Sequence, residues 1–165
     1  MKIICVTGTP GTGKTTLSKK LSKIMNLYYL DVNKIISKYK LSEGYDKKRK
    51  TKIIDTDELN KKLILEIKNL KYNEKYSGII IDSHLSHYLS RKYVDFCIVT
   101  KCDIKELNKR LKKKKFYQSK IKENIEAEIF DICLNEAKER KHNVIVADTT
   151  KGFNINRIAR QVGGH

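Results

Sequence analysis

Residues 8–15 read Gly8-Thr9-Pro10-Gly11-Thr12-Gly13-Lys14-Thr15, directly after the apolar run Ile3–Val6. They fit the pattern G-x-x-x-x-G-K-[ST], in which small residues let the chain wrap a phosphate with its backbone N–H groups pointing inward. A helix beginning near Lys14 adds the positive end of its dipole at the same place. Lys14 can then reach the outer phosphates, and the Thr15 hydroxyl can bind Mg²⁺. The stretch predicts a nucleoside triphosphate site between a strand and a helix.

Apolar runs alternate with helical patterns along the rest of the chain. Strands are predicted at 2–6, 27–30, 78–82, 94–100 and 143–147. Helices are predicted at about 14–25, 31–39, 55–71, 103–114, 119–140 and 154–162. The third and fourth strands are continuously apolar, which is typical of strands buried on both faces of a parallel sheet. We expect one α/β domain over residues 1–165, a doubly wound parallel sheet with its ligand at the carboxyl ends of the strands.

Composition narrows the class of protein further. No apolar run reaches 18 residues, so no membrane span is expected, and the early first strand leaves no room for a signal peptide. The four cysteines form no CxxC pair. Cys5 and Cys97 lie in apolar strands and are interpreted as reduced core residues of a cytoplasmic protein.

The chain is strongly basic, with a net charge of +17 from 36 basic and 19 acidic residues. Two dense clusters occur at 47–52 and 109–115. A basic surface attracts polyanions such as RNA in a salt-dependent way. A lysine-rich compositional bias on solvated helix faces explains the overall charge equally well, whereas the position of the second cluster on the fold favours a function for it.

Two residues at the end of the third strand are candidates for chemistry. Asp82 ends that strand, where a P-loop protein needs a carboxylate for Mg²⁺ or its bound water. His84 follows two residues later and points to the same side in an extended chain, where it could order an attacking water or relay a proton. His87 lacks such neighbours and is interpreted as structural.

Two segments are expected to flank the phosphate site. The basic segment 109–122 lies between two helices and could close over the γ-phosphate as a short cationic lid. A lid this small excludes water poorly, so hydrolysis of ATP could compete with transfer to a second substrate. The stretch 31–54 faces the P-loop across the strand ends. A nucleotide acceptor would lie there, with Tyr45 as a stacking or hydrogen-bonding surface.

At these motifs the chain resembles the adenylate kinase isoenzyme six family, the CINAP-type nucleoside monophosphate kinases and ATPases. The resemblance spans about residues 1–140. It rests on the P-loop and on five further pieces in order: Glu43-Gly44-Tyr45-Asp46, Ile53–Asp57, Ile81-Asp82-Ser83-His84, Arg110-Leu111 and Glu123–Phe130. The Asp-x-His that ends the third strand separates this family from ordinary adenylate kinases.

The resemblance implies a five-stranded core, a monophosphate-binding region at about 31–54 and a lid at about 113–123. It implies phosphoryl transfer between ATP and AMP or related monophosphates with Mg²⁺. It also implies an ATPase activity in late maturation of the small ribosomal subunit, through ribosomal protein uS11; the basic charge suits contact with small-subunit rRNA.

The resemblance also assigns roles to individual residues. ATP is expected to be held by Gly11, Gly13, Lys14, Thr15, Thr16, Arg110 and Lys114. Lys14, Asp82, His84 and Lys114 are expected to be catalytic, with Thr15 and Asp82 at Mg²⁺. The monophosphate is expected to contact Asn33, Lys34, Gly44 and Tyr45.

Three positions depart from the family pattern. The usual Arg-Gly-Tyr of the lid reads Lys114-Lys115-Phe116, and a lysine lacks the bidentate fork of arginine. In the monophosphate region, Gly-Asp reads Asn33-Lys34, and an expected arginine is Ser37. We therefore expect AMP to be recognised either weakly or in a different way, through Lys34 or Lys38. These departures favour ATPase or broad-specificity kinase behaviour.

Other functions remain open from the sequence. Thr100-Lys101-Cys102-Asp103 fits the [NT]-K-x-D pattern that reads guanine in GTPases, although no D-x-x-G follows any strand and Asp103 can be explained as a helix cap. A ribosome-assembly ATPase with little kinase activity is a third possibility. Kinases of small acidic metabolites would need several arginines in 31–54, where only Arg49 occurs.

Overall fold

The computed structural model of the chain describes residues 1–47 and 51–163. The strands are β1 (Lys2–Thr7), β2 (Leu27–Asp31), β3 (Ser42–Asp46), β4 (Thr51–Ile54), β5 (Gly78–Asp82), β6 (Phe96–Lys101) and β7 (Val144–Asp148). The helices are α1 (Lys14–Ile24), α2 (Val32–Lys38), α3 (Thr56–Leu70), α4 (Ile104–Lys113), α5 (Gln118–Ile129), α6 (Ile132–Glu139) and α7 (Ile155–Gly163).

Five strands form one parallel sheet in the order β2-β5-β1-β6-β7. This order confirms the predicted doubly wound α/β fold. Val6 of β1 and Asp31 of β2 both stand beside Asp82 of β5. The carboxyl ends of these three strands therefore meet at one edge, where the loops that follow them can share a ligand.

Apolar side chains cover both faces of the sheet. On one face α1 and α7 pack on β1, β5 and β6 through buried residues that include Leu17, Leu21 and Ile158. On the other face α2, α3 and α6 pack on the sheet, and Leu59, Leu63 and Ile67, which recur at helical spacing along α3, are buried there. Burial on both faces explains the continuously apolar strand sequences.

Carboxylates cap two helices. The Asp55 side chain accepts the backbone N–H groups of Asp57 and Glu58, at 2.8 and 3.2 Å. Asp103 accepts those of Lys105 and Glu106 in the same way, at 3.0 and 3.3 Å. These bonds fix where α3 and α4 begin.

A hairpin of β3 and β4 lies apart from the main sheet and was not predicted. Its strands are short and antiparallel, with mostly exposed or half-buried side chains, so they lack the apolar runs that identify the other strands. Together with α2 it makes up the region at 31–54. Part of the first basic cluster, residues 48–50, lies outside the described residues.

The prediction of a single helix at 119–140 is wrong. Two helices, α5 and α6, occupy this segment. Asp131 adopts a left-handed conformation with φ 53° and pairs with Lys101 at the end of β6. The break redirects α6 onto the sheet. Consequently Ile129 and Ile132, which continue the helical spacing of Ile121 and Ile125 in the sequence, are 56% and 42% exposed.

Every helix within 1–47 and 51–163 is too short or too polar to pass through a lipid bilayer.

Candidate active site

The P-loop wraps at the carboxyl end of β1, in backbone conformations that favour glycine. Gly8, Gly11 and Gly13 have φ of 142°, 92° and 92°. A Cβ on Gly8 would lie 2.3 Å from the Thr100 hydroxyl oxygen, so β6 closes tightly on the loop. Because the N-cap of α1 is Gly13, no side chain at that position competes for the first N–H groups of the helix. These groups form an anion-binding end.

Lys14 is held inside the loop. Its Nζ donates hydrogen bonds to the carbonyls of Gly8 at 2.8 Å and Thr9 at 3.1 Å. Burial lowers the pKa of Lys14 to about 8, against the opposing effect of nearby groups such as Asp82. A positive charge with reduced access to water is suited to pairing with phosphate oxygens.

Asp82 and Thr15, the two residues predicted at Mg²⁺, are in contact. The Thr15 hydroxyl donates to Asp82 Oδ2 at 2.7 Å, and Asp82 is buried. Hydroxyl and carboxylate oxygens fit Mg²⁺, which usually takes one or two carboxylates and completes its shell with phosphates and water. Within the described residues, no cluster of three or more His, Cys, Asp or Glu could hold a metal without such help. Thr16 is exposed in the first turn of α1.

Tyr29 is a neighbour of this pair that sequence reasoning missed. Its hydroxyl donates to the same Asp82 oxygen at 2.7 Å. Burial and the Asp82 carboxylate raise the pKa of Tyr29, so the phenol keeps its proton. The contact depends on β2 lying beside β5, a strand order that local patterns do not reveal.

His84 lines two cavities, one between the start of the P-loop and helices α5 and α6, and the other between α2 and the hairpin. The residue is exposed, but the cavity walls remove part of its hydration, and together with the charge of Lys14 they lower its pKa to about 4. The ring is therefore neutral at pH 7 and can accept a proton. The His84 carbonyl accepts the Thr7 hydroxyl at 3.3 Å, which ties the loop to β1.

Glu128 joins the P-loop to α5. Sequence reasoning assigned it no role of its own, since it lies within the motif Glu123–Phe130. Its buried carboxylate accepts the Thr9 hydroxyl at 2.6 Å and the Cys102 N–H at 3.1 Å. It also pairs with Lys101 Nζ at 2.8 Å. An acidic residue facing the core side of an otherwise apolar helical stripe was the only sequence signal.

Arg110 lies on the other flank of the P-loop. Its guanidinium donates to the Thr149 carbonyl at 2.7 Å, and the Thr149 hydroxyl donates to the Thr12 carbonyl at 2.5 Å. Arg110 thus connects α4 to the loop after β7, next to the donor site. Lys114 is exposed at the end of α4, and its charge contributes to lowering the pKa of Lys14. Of the predicted lid, 113–123, only the turn between α4 and α5 is not helical.

The second cavity has a volume of about 620 Å³. We call it the acceptor cavity, because the region 31–54, where the monophosphate is expected, forms much of its wall. Asn33 and Tyr45 line it, as predicted, and His84 lies at its wall. Lys34 and Gly44 are not among its lining residues; Lys34 is exposed on α2. The structure therefore brings two of the four residues predicted for this side to one cavity.

The remaining candidates have structural roles. His87 is buried, with Nδ1 2.6 Å from the Thr7 hydroxyl and Nε2 2.8 Å from Glu136. Thr100 is buried against Thr12 at 2.6 Å, and Lys101 pairs with Glu128 and Asp131. With Asp103 capping α4, the guanine-reading pattern is occupied by internal contacts, which argues against a GTPase.

The fold and the P-loop define the class of protein: a P-loop nucleotide-binding protein with a kinase-type sheet. The family model described as AAA domain matches residues 4–131. A deoxyadenosine kinase from M. mycoides with bound dATP has a similar fold, with a TM-score of 0.58 at 16% identity over 99% of this chain and 100% of that chain.

Two relatives are similar in sequence over most of their length. An adenylate kinase isoenzyme 6 homolog of Schizosaccharomyces pombe is 38% identical over 88% of this chain and 78% of its own. That of Caenorhabditis elegans is 30% identical over 97% and 88%. The chain belongs to the adenylate kinase isoenzyme 6 family, which confirms the resemblance seen in its motifs.

Proposed function

We propose that the protein transfers the γ-phosphoryl group of ATP to AMP or another nucleoside monophosphate, and hydrolyses ATP when water replaces that acceptor. Adenylate-kinase-like phosphotransfer is what its family membership supports. The single observation that carries the proposal is the place of His84, which follows the Thr15–Asp82 pair at the end of β5 and lines the separate acceptor cavity. Two substrates could meet at this residue.

On the donor side, each residue has a distinct role. The P-loop N–H groups and Lys14 bind the phosphates of ATP, Arg110 supports the adjoining loop, and Lys114 adds positive charge from the lid. Thr15 and Asp82 would hold Mg²⁺, which when bound offsets the negative charge of the phosphates. Tyr29 keeps the Asp82 carboxylate in position.

The acceptor determines which reaction follows. In transfer, a phosphate oxygen of the monophosphate forms a bond to the γ-phosphorus while the bond to the β–γ bridging oxygen breaks. ADP then leaves with that electron pair, and the acceptor becomes a diphosphate. In hydrolysis, the attacking water must lose a proton, and the neutral His84 ring can accept it. Lys14 and Lys114 stabilise the charge on the transferring group in both reactions.

The ATPase activity is the basis of a second candidate function, in which the protein drives maturation of the small ribosomal subunit in the cytoplasm. Ribosomal protein uS11 and small-subunit rRNA would then be its partners. The favouring observation is the outer face of α4, where Lys105, Lys109 and Lys112 are exposed at helical spacing. Such a face is suited to RNA phosphates, while its strong positive charge suits a basic protein less well.

The role of Asp82 and His84 can be tested by the double variant Asp82→Asn/His84→Gln. We expect turnover to fall by about 10²-fold or more, because the metal ligand and proton acceptor are lost. Binding of a fluorescent ATP analogue in EDTA should change little, since the P-loop is intact. Lys14→Ala serves as the control that loses binding. Loss of analogue binding in the double variant would show that both residues are structural.

A further inference from the structure

The acceptor cavity lacks the cations that the sequence suggested for it. Lys38 was one candidate, but its Nζ pairs with Glu66 at 2.6 Å, and the Tyr39 hydroxyl donates to the same carboxylate oxygen at 2.7 Å. Lys34 lies on α2 outside the lining. Ser37 lines the cavity, and a serine carries no charge. A phosphate entering from this side therefore needs a different partner.

Lys52 of β4 lies in a position to contact such a phosphate, because it lines the acceptor cavity. Among the described residues that line the acceptor cavity, it is the only lysine or arginine. It stands directly opposite Tyr45 in the β3–β4 hairpin. Residues that face each other across an antiparallel pair project their side chains from the same side of the hairpin. Tyr45 also lines the cavity and is 57% exposed.

We propose that Lys52 binds the phosphate of the acceptor nucleotide and that Tyr45 stacks on its base. This inference rests on the proposed kinase function and assigns its acceptor specificity to the hairpin. A lysine is a flexible point charge without the fork of arginine, so it does not fix one phosphate orientation. Stacking on a tyrosine ring tolerates any base. The two features together specify a nucleoside monophosphate acceptor with weak discrimination among bases.

The test is the dependence of ADP production on monophosphate concentration in Lys52→Met. We expect KM for AMP to rise about tenfold or more, while ATP hydrolysis without AMP stays at the wild-type rate. Lys52→Arg should keep most of the affinity. The matched control is Lys47→Met, which removes an exposed lysine of the same hairpin that does not line the cavity, and which should leave KM unchanged.

The stacking role has its own pair of variants. Tyr45→Phe should preserve KM for AMP, CMP and UMP alike, whereas Tyr45→Ala should raise all three by similar factors. If Tyr45→Ala affects only one base, the tyrosine reads that base by hydrogen bonding and the stacking assignment is wrong. Thermal unfolding of each variant should match the wild type, because both side chains lie at the cavity surface.

Direct binding separates this inference from the proposed kinase function. If no monophosphate stimulates wild-type ADP production, the kinase function fails, and calorimetric titration with AMP still tests the site. Weaker AMP binding to Lys52→Met than to the wild type supports the assignment. Equal binding to both, no binding to either, a stronger effect of Lys34→Met, or a parallel loss of ATP hydrolysis in Lys52→Met would overturn it.

Discussion

One environment lowers the pKa values of both Lys14 and His84. The same partly dehydrated site that lowers the pKa of Lys14 to about 8 lowers that of His84 to about 4. Between these values the lysine is charged and the histidine is neutral. The charged lysine is then able to pair with phosphate oxygens.

The pH profile of ATP hydrolysis follows from these two residues. A lysine with a lowered pKa is protonated below that value and loses its charge as the pH rises through it. We therefore expect kcat/KM for ATP to be level between about pH 6 and 7.5 and to fall above about pH 8, since this parameter reports the free enzyme. In Lys14→Arg, any residual activity should show no such fall. A wild-type profile that stays level to pH 9.5 would contradict the assignment.

At the scale of elements, the junction between β6 and the P-loop is the tightest part of the site. A Cβ on Gly8 would lie 2.6 Å from the Thr100 carbonyl oxygen, and the Thr100 hydroxyl bonds to Thr12 and to the Thr7 carbonyl, at 2.6 and 3.1 Å. The loop conformation is thus fixed by the neighbouring strand as well as by its own glycines.

Gly8→Ala tests this junction against Gly152→Ala. Both glycines have positive φ, 142° and 86°, but a Cβ at Gly152 meets no atom within 4 Å. Gly152→Ala should cost only the backbone strain, about 1 kcal/mol. Gly8→Ala adds a clash with backbone and side chain, so we expect a loss of more than about 2 kcal/mol in urea unfolding, together with weaker ATP binding. Equal losses would show that β6 does not constrain the loop.

The sequence predicts correctly those elements whose signals lie within the element itself. The P-loop, the buried strands and the helices capped by Asp55 and Asp103 carry their own periodicity or capping residues, and they occur where expected. The hairpin has no such signal, because its side chains face solvent and a cavity. The break at Asp131 was hidden for a related reason, since apolar spacing continues across it.

The same distinction applies to the site. Lys14, Thr15, Asp82 and His84 follow motifs with fixed spacing, and the structure brings them together at the strand ends. The contacts of Tyr29 with Asp82 and of Glu128 with Thr9 join residues 53 and 119 positions apart. They depend on which strands and helices are neighbours, which a single sequence does not specify.

The whole molecule carries a net charge of +17, and the α4 face is the part of it that we expect to bind RNA. We expect a labelled oligouridylate to bind the α4 face with a strong salt dependence. Changing Lys105, Lys109 and Lys112 to glutamine should reduce the slope of log K against log salt by about 2, at about 0.7 per lost phosphate contact. Fluorescence anisotropy over a range of NaCl concentrations measures this slope.

The matched control removes the same charge elsewhere. Lys68, Lys71 and Lys75 are exposed at and beyond the end of α3, and their change to glutamine should leave the slope near the wild-type value. If both triple variants lose the same amount, RNA responds to net charge alone and the α4 face is not a binding surface.

The proposed site faces a nucleotide acceptor as well as ATP. The measurement that tests it most directly is steady-state ADP production with ATP and Mg²⁺ alone, and then with each nucleoside monophosphate added. We predict a low rate with ATP alone and a saturable increase with AMP, accompanied by two ADP formed for each ATP consumed. If no monophosphate raises the rate above that of ATP hydrolysis, and one ADP forms per ATP throughout, the site does not transfer phosphate to a nucleotide.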